Sequence, residues 1–149
     1  MVSTERGELH MDVQMEKIMT LHVRVAQPQR VGQTPEGILT IIPIIGGTFE
    51  GERLSGRVCP GGADWNVTVS DVLCHVLARY WIETDDGVVI AVENEGWLDL
   101  LHQDAALRTT PRFSCDLKGP YAWLTRGVYA GELRGEGENG VKIVVWKLG

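Results

Sequence analysis

Apolar and polar residues alternate through two neighbouring runs, "LCHVLARYWIET" from Leu73 and "GVVIAVENEG" from Gly87, which meet at Asp86-Gly87. Alternation with period two marks a strand that rests one face on a core, and a glycine free to take positive φ between two such runs predicts a hairpin. A two-residue turn pairs Asp85 with Val88. Glu83 then faces Ile90, Trp81 faces Val92 and Arg79 faces Asn94, all on one side, while Tyr80, Ile82, Ala91 and Glu93 take the other. The first side mixes charge with tryptophan. Either it lines a partly polar cavity, or it is a solvent face with stray apolar residues.

The same pattern recurs along the chain in "KIMTLHVRVA" from Lys17, "GILTIIPIIGGTFEG" from Gly37 with a break near Pro43, "DWNVTVS" from Asp64, "LRTTPRFSC" from Leu107, "YAWLTRGVYAGEL" from Tyr121 and "GVKIVVWKL" from Gly140. With the hairpin this makes about eight strands, and no window has the i, i+3, i+4, i+7 apolar spacing of a helix. Turn chemistry separates the runs at "CPGGAD", "TDDG" and "GEGENG". The expected fold is all-β, a sandwich or a closed antiparallel barrel, and a barrel of about eight strands encloses room for side chains or one small ligand. Residues 1–15 read as a polar leader that need not be ordered, and residues 16–149 as a single domain.

Composition narrows the function more than the fold. The chain has 149 residues, 44% hydrophobic and 23% charged, with a net charge of −6 and its Lys and Arg dispersed. No basic stripe offers itself to nucleic acid or to an anionic membrane, no apolar run has the length of a membrane span, and the leader lacks the apolar segment of a signal peptide. A cytoplasmic protein with a small organic ligand is expected. Cys59, Cys74 and Cys115 are widely spaced, and the four histidines show neither H-x-H nor H-E-x-x-H spacing, so neither a disulfide nor a metal is expected. G-x-S-x-G, a P-loop and G-x-G-x-x-G are likewise missing, and no cofactor is expected.

In order along the chain, "IIGGTFEGERLSGRVCPGGADW", "ARYWIETDDGVVIAVENEG", "RTTPRF" and "YAWLTRGVYAGELR" resemble the family catalogued as domain of unknown function 3237, over roughly Leu21 to Leu148. The resemblance implies a compact, often oligomeric single-domain barrel, similar in kind to those of allene oxide cyclases and dirigent proteins, and carries little about chemistry. Leu77 stands where the family usually has an acidic residue, Trp81 where a smaller polar residue is usual, and Leu107 where an aromatic is common; Trp97-Leu98 replaces a stretch that often carries arginine. These departures imply a less polar cavity.

Three residues of the hairpin carry the sharpest chemical expectation. Arg79 anchors a carboxylate or enolate oxygen, Asn94 is a second donor, and Glu83 is a general acid or base tuned by burial. The alternative is a structural ion-pair network, for instance between subunits. Asp64 and Trp65 follow the "PGG" turn and fit a barrel mouth; Trp81, Tyr121 and Trp123 fit the walls of a cavity; Arg112, with Arg108, fits an anion. Each has a plain reading as turn, core or solvated side chain. Tyr80 and Glu93 are expected in contact, and His75 as a packed or exposed strand residue. The function expected is binding of a small anionic or carbonyl-bearing molecule by a homo-oligomeric barrel, with cofactor-independent isomerase, cyclase or lyase chemistry if it is an enzyme. A non-catalytic carrier and an oligomeric scaffold are the alternatives.

Overall fold

The computed structural model describes residues 2–5, 8–102 and 106–149, with 2–5 and 8–11 described by their backbone pairing alone. Val2–Glu5 (β1) and Glu8–Met11 (β2) form a separate two-stranded sheet. Ten further strands form one antiparallel sheet: Met15–Val25 (β3), Gln29–Thr34 (β4), Gly37–Glu50 (β5), Ser55–Val58 (β6), Ala63–Thr68 (β7), Leu73–Thr84 (β8), Val89–Asp99 (β9), Leu107–Ser114 (β10), Val128–Glu136 (β11) and Gly140–Leu148 (β12). The sheet closes because β3 pairs with β12 on one side and with β5 on the other.

Ten strands fill eight places in the wall of a closed barrel. β3 and β4 both run antiparallel to β5, β3 along Ile44–Glu50 and β4 along Gly37–Ile41, so they are one long strand broken at Ala26–Pro28. β6 and β7 share the place between β5 and β8 in the same way, broken by Cys59–Gly62. Gly61 takes φ +123 there, and a Cβ on it would come within 2.6 Å of the Trp81 ring. A glycine is required at that close approach. The short polar runs "QRVGQT" and "SGRV" carry too little alternation to announce β4 and β6 from sequence.

Elsewhere the predicted runs match the strands closely, with one further exception. The strand expected from Tyr121 begins only at Val128, because Ala122–Thr125 turns as a 3₁₀ helix and Gly127 follows at φ +94. Among the described residues, no helix is long and apolar enough to cross a membrane.

The barrel is filled unevenly. Met19, Leu21, Phe49, Ile82, Ile90, Leu124 and Val145 are fully buried at one end, with Phe113 and Tyr129 in edge contact at 5.3 Å between ring centres. Each such side chain contributes roughly 1.5–3 kcal/mol by leaving water. A smaller cluster of Cys74, Val76 and Leu98 lies toward the other end.

The β8–β9 hairpin departs from its expected register by one residue. The Thr84 and Val88 backbones are joined by a 2.9 Å hydrogen bond around three loop residues, Asp85, Asp86 and Gly87, with Gly87 at φ +89. This is a three-residue loop with a bulged glycine rather than a two-residue turn. Glu83 therefore pairs with Val89, Trp81 with Ala91, and Arg79 with Glu93. A one-residue slip moves a whole strand's side chains to the opposite face. Tyr80, Ile82, Ile90, Val92 and Asn94 point inward and are buried, whereas Arg79, Trp81, Glu83 and Glu93 lie outside. The expected Arg79–Glu83–Asn94 group does not exist, because its members stand on opposite sides of the wall, and Tyr80 and Glu93 are separated likewise.

The Arg79 side chain is 67% exposed and meets Glu93 at 3.2 Å. An exposed pair of this kind contributes about 0–1 kcal/mol. Arg79→Ala is expected to lower unfolding free energy in urea by less than about 1 kcal/mol, not by the roughly 3–5 kcal/mol that breaking a buried pair costs.

Candidate functional site

Between the packed end and the Cys74–Leu98 cluster, the barrel holds a cavity of about 210 Å³. Its walls are mainly valine and isoleucine from β3, β5, β8 and β12, with Pro28 at the β3–β4 break also lining it. Four polar residues face it: Asp64, Tyr80, Asn94 and Thr109. Strand alternation puts each there. Asp64 points in because Trp65 points out, and Thr109 points in between the exposed Arg108 and Thr110.

Small residues keep space beside the polar ones. Asp64 pairs across the sheet with Ala78, and Ala78 with Asn94, so a single methyl group separates the carboxyl from the amide in that row. Gly131 lies opposite Thr109, and a Cβ there would collide with the Thr109 hydroxyl; one on Gly96 would come within 2.8 Å of the Thr109 methyl. Side chains at these places would fill the space next to the polar atoms.

Those atoms lack partners. Asp64 Oδ1, Asn94 Oδ1 and Thr109 Oγ1 are each shut off from solvent and accept no hydrogen bond from the protein. A buried polar atom left unsatisfied costs on the order of 1–3 kcal/mol. Three around one cavity are unusual, since buried polar groups are nearly always paired. Asn94 is only 3% exposed; Asp64 is half-buried as a residue, but its Oδ1 is not. Burial pushes the Asp64 carboxyl above the usual aspartate range, and the Leu77 backbone N–H and the His75 charge pull it part of the way back. Burial also pushes the Tyr80 phenol far up, so it stays a neutral hydroxyl.

The other residues expected at a site stand away from the cavity, on the outer surface or, for Tyr121 and Trp123, half-buried against the main core. Glu93 bridges Arg79 at 3.2 Å and Arg112 at 3.1 Å. Glu83 holds Arg57 at 2.9 Å. Trp65 and Trp81 are exposed on the outer face at 44% and 39%. The Tyr121 hydroxyl donates to Asp86 at 2.8 Å, and the Trp123 ring lies 3.8 Å beneath the Arg53 guanidinium, so neither walls the cavity. His75 behaves as expected of a strand histidine, bonded to Glu95 at 2.7 Å and stacked on Trp97. A larger outer groove of about 670 Å³ runs past Arg79, Trp81, Glu93 and Arg112. It is the weaker candidate, because its two arginines already share the Glu93 carboxylate and are both exposed, where a further ion pair contributes little. Of the expected residues, the cavity gathers Asp64 and Asn94. Thr109 and Tyr80 were missed; the signal for Thr109 was a polar residue on the otherwise apolar Leu107–Pro111–Phe113 face.

The chain belongs to the family described as "Protein of unknown function (DUF3237)", whose model matches residues 13–148. It is 35% identical over 128 residues to a UPF0311 protein of Rhodopseudomonas palustris (strain TIE-1), covering 76% of this chain and 83% of that one. A second relative, from Bradyrhizobium diazoefficiens, is 33% identical with 75% and 82% covered. Among solved structures, the fold is similar to a β-barrel-like protein from Acinetobacter baumannii, with a TM-score of 0.82, 31% identity, and 94% and 98% of the two chains covered. It is also similar to an enzyme from Penicillium herquei, with a TM-score of 0.75 and 94% and 97% covered; at 18% identity that likeness is one of fold.

Two outcomes follow from the unpaired oxygens. Thr109→Val keeps the shape and removes an unsatisfied hydroxyl, so it is expected to leave stability unchanged or raise it by about 1 kcal/mol in a denaturant titration. Asp64 has a folded-state pKa raised above its unfolded value of about 3.9, so the stability it contributes is present below that value and is lost as pH rises through the folded pKa. Asp64→Asn is accordingly expected to melt higher than the wild type near pH 7, with the advantage shrinking as pH falls from the raised folded pKa to about 4.

Proposed function

We propose that this protein binds a small organic molecule inside the barrel and moves a proton on it without a cofactor, with Asp64 as the acid–base group. The observation that carries this is that Asp64, Asn94 and Thr109, each with a partnerless side-chain oxygen, line one apolar cavity. A ligand that satisfies them removes the cost of leaving them bare. Asp64 takes over the role first assigned to Glu83, and the Thr109 hydroxyl that assigned to Arg79, while the free Asn94 Oδ1 accepts from a ligand hydroxyl. A carboxyl raised by burial is poised to exchange a proton nearer neutral pH than an ordinary aspartate. In its ionised form it accepts a proton from an acidic C–H or O–H of the ligand, the Thr109 hydroxyl donates to the oxygen where charge develops, and return of the proton to a different atom completes an isomerisation. The barrel of the Penicillium herquei enzyme supports the reading only in showing that such a fold hosts catalysis.

Deuterium exchange α to the carbonyl of 2-hydroxycyclohexanone, followed by NMR in deuterated buffer, tests this without knowledge of the natural substrate. The wild type is expected to accelerate exchange, and Asp64→Asn to lose most of that acceleration, within the roughly 10²–10⁴-fold that positioned acid–base groups contribute, while still binding the ketone. Binding without exchange in the wild type leaves a carrier and overturns the catalytic part. Absence of binding overturns the site.

A further inference from the structure

We infer that the cavity selects an uncharged, single-ring molecule bearing hydroxyl donors, a phenol or an enol, and rejects carboxylates of the same size; this rests on the cavity being the binding site. Three features lead to it. All three unpartnered atoms are oxygens that accept hydrogen bonds, and the Thr109 hydroxyl also donates, so ligand hydroxyls, which both donate and accept, complement the set. Among the described residues that line the cavity, none is Lys, Arg or His, so a buried carboxylate would find no counter-charge and would lie near the Asp64 carboxyl. The arginines expected to hold an anion, Arg79 and Arg112, are outside the wall and occupied by Glu93.

Size and shape narrow the class further. At about 210 Å³ the space falls below the roughly 300–1,000 Å³ of pockets for drug-sized ligands, which leaves room for one ring. The apolar walls suit the ring faces, and the polar residues line the space from two neighbouring positions, Asp64 and Asn94 flanking Ala78, and Thr109 flanked by Gly131. A ring with two hydroxyls spaced across it meets both. A cationic amine would also meet acceptor oxygens, but it would have to leave its hydration shell for walls of mainly valine and isoleucine, a desolvation cost that an uncharged hydroxyl largely avoids.

Calorimetric titration near neutral pH with resorcinol, 1,3-dimethoxybenzene, 3-hydroxybenzoate and benzylamine separates these properties. Resorcinol is expected to bind the wild type at least about tenfold more tightly than each of the other three, a difference of about 1.4 kcal/mol. Asp64→Asn removes the acid and supplies an amide donor, and is expected to narrow the gap between resorcinol and 3-hydroxybenzoate. Ala78→Leu fills the space between Asp64 and Asn94 and is expected to abolish resorcinol binding while the protein keeps its circular dichroism spectrum; if it fails to fold, Ala78→Val is used and a partial loss is expected. Equal or tighter binding of 3-hydroxybenzoate or benzylamine, blocked by the Ala78 variant, overturns the charge selection and leaves the site standing. Equal binding of 1,3-dimethoxybenzene, similarly blocked, overturns the need for donors. No binding by any probe, or binding that ignores the Ala78 variants, overturns the cavity as the site.

Discussion

Pairing of Thr20–Val25 in β3 with Ile44–Glu50 in β5 joins the two ends of the sheet, and from that closure the molecule acquires an interior. Every strand must then send alternate residues inward, whether or not they are apolar. At one end the inward set is Met19, Leu21, Phe49, Ile82, Ile90 and Val145, and they fill the space. Further along, short of the Cys74–Leu98 cluster, the same alternation delivers Asp64, Ala78, Asn94, Thr109 and Gly131, which are too small or too polar to fill the space. The cavity is the part of the barrel that closure encloses and packing leaves empty.

Closure also explains the outer face. Once the inward positions are assigned, arginine and glutamate at Arg79, Glu83, Glu93, Arg108, Arg112 and Glu132 stand outside on neighbouring strands, where they pair across the ladder. Such pairs contribute little each, but like charges directly opposite would be unfavourable, and the interleaving avoids that. The charge beside the tryptophans in "ARYWIETDD" is therefore a property of a solvated barrel surface, and the exposed Trp65, Trp81 and Trp97 lie on that same surface.

Much of the fold was legible because long alternating runs such as Leu73–Thr84 and Leu107–Ser114 are strong signals that tertiary structure had no reason to override. The site was legible only by half. Asp64 and Asn94 could be named from sequence, but the facing of the hairpin hinged on whether "TDDG" turns in two residues or three, and Gly87 serves in both. A bulge of one residue sent Arg79 and Glu83 to solvent and brought Tyr80 in. A check was present in the burial logic itself: Tyr80, Ile82, Ile90 and Val92 form a more apolar face than Arg79, Trp81, Glu83 and Asn94, and only the three-residue loop puts all four together. Thr109 escaped notice because a lone threonine on an apolar strand is ordinary. It gains meaning only beside Gly96 and Gly131, whose nearness depends on strand pairing that no local pattern carries.

The cavity sets stability against function. Valine at position 109 or leucine at position 94 would pack with the surrounding Val and Ile residues and remove a desolvated oxygen, so a chain under pressure only to fold would gain from either change. Instead it keeps three such oxygens around a space that Ala78, Gly96 and Gly131 hold open. An ion-pair network between subunits, the structural alternative for charge on these strands, accounts for Arg79 and Glu93 but not for atoms sealed inside the wall. A scaffold needs a rigid barrel, and rigidity is served by filling the core. On the proposed reading the polar, partly empty core serves a molecule that enters and leaves, because the cost of bare oxygens in the free protein is recovered only when hydrogen-bonding partners arrive.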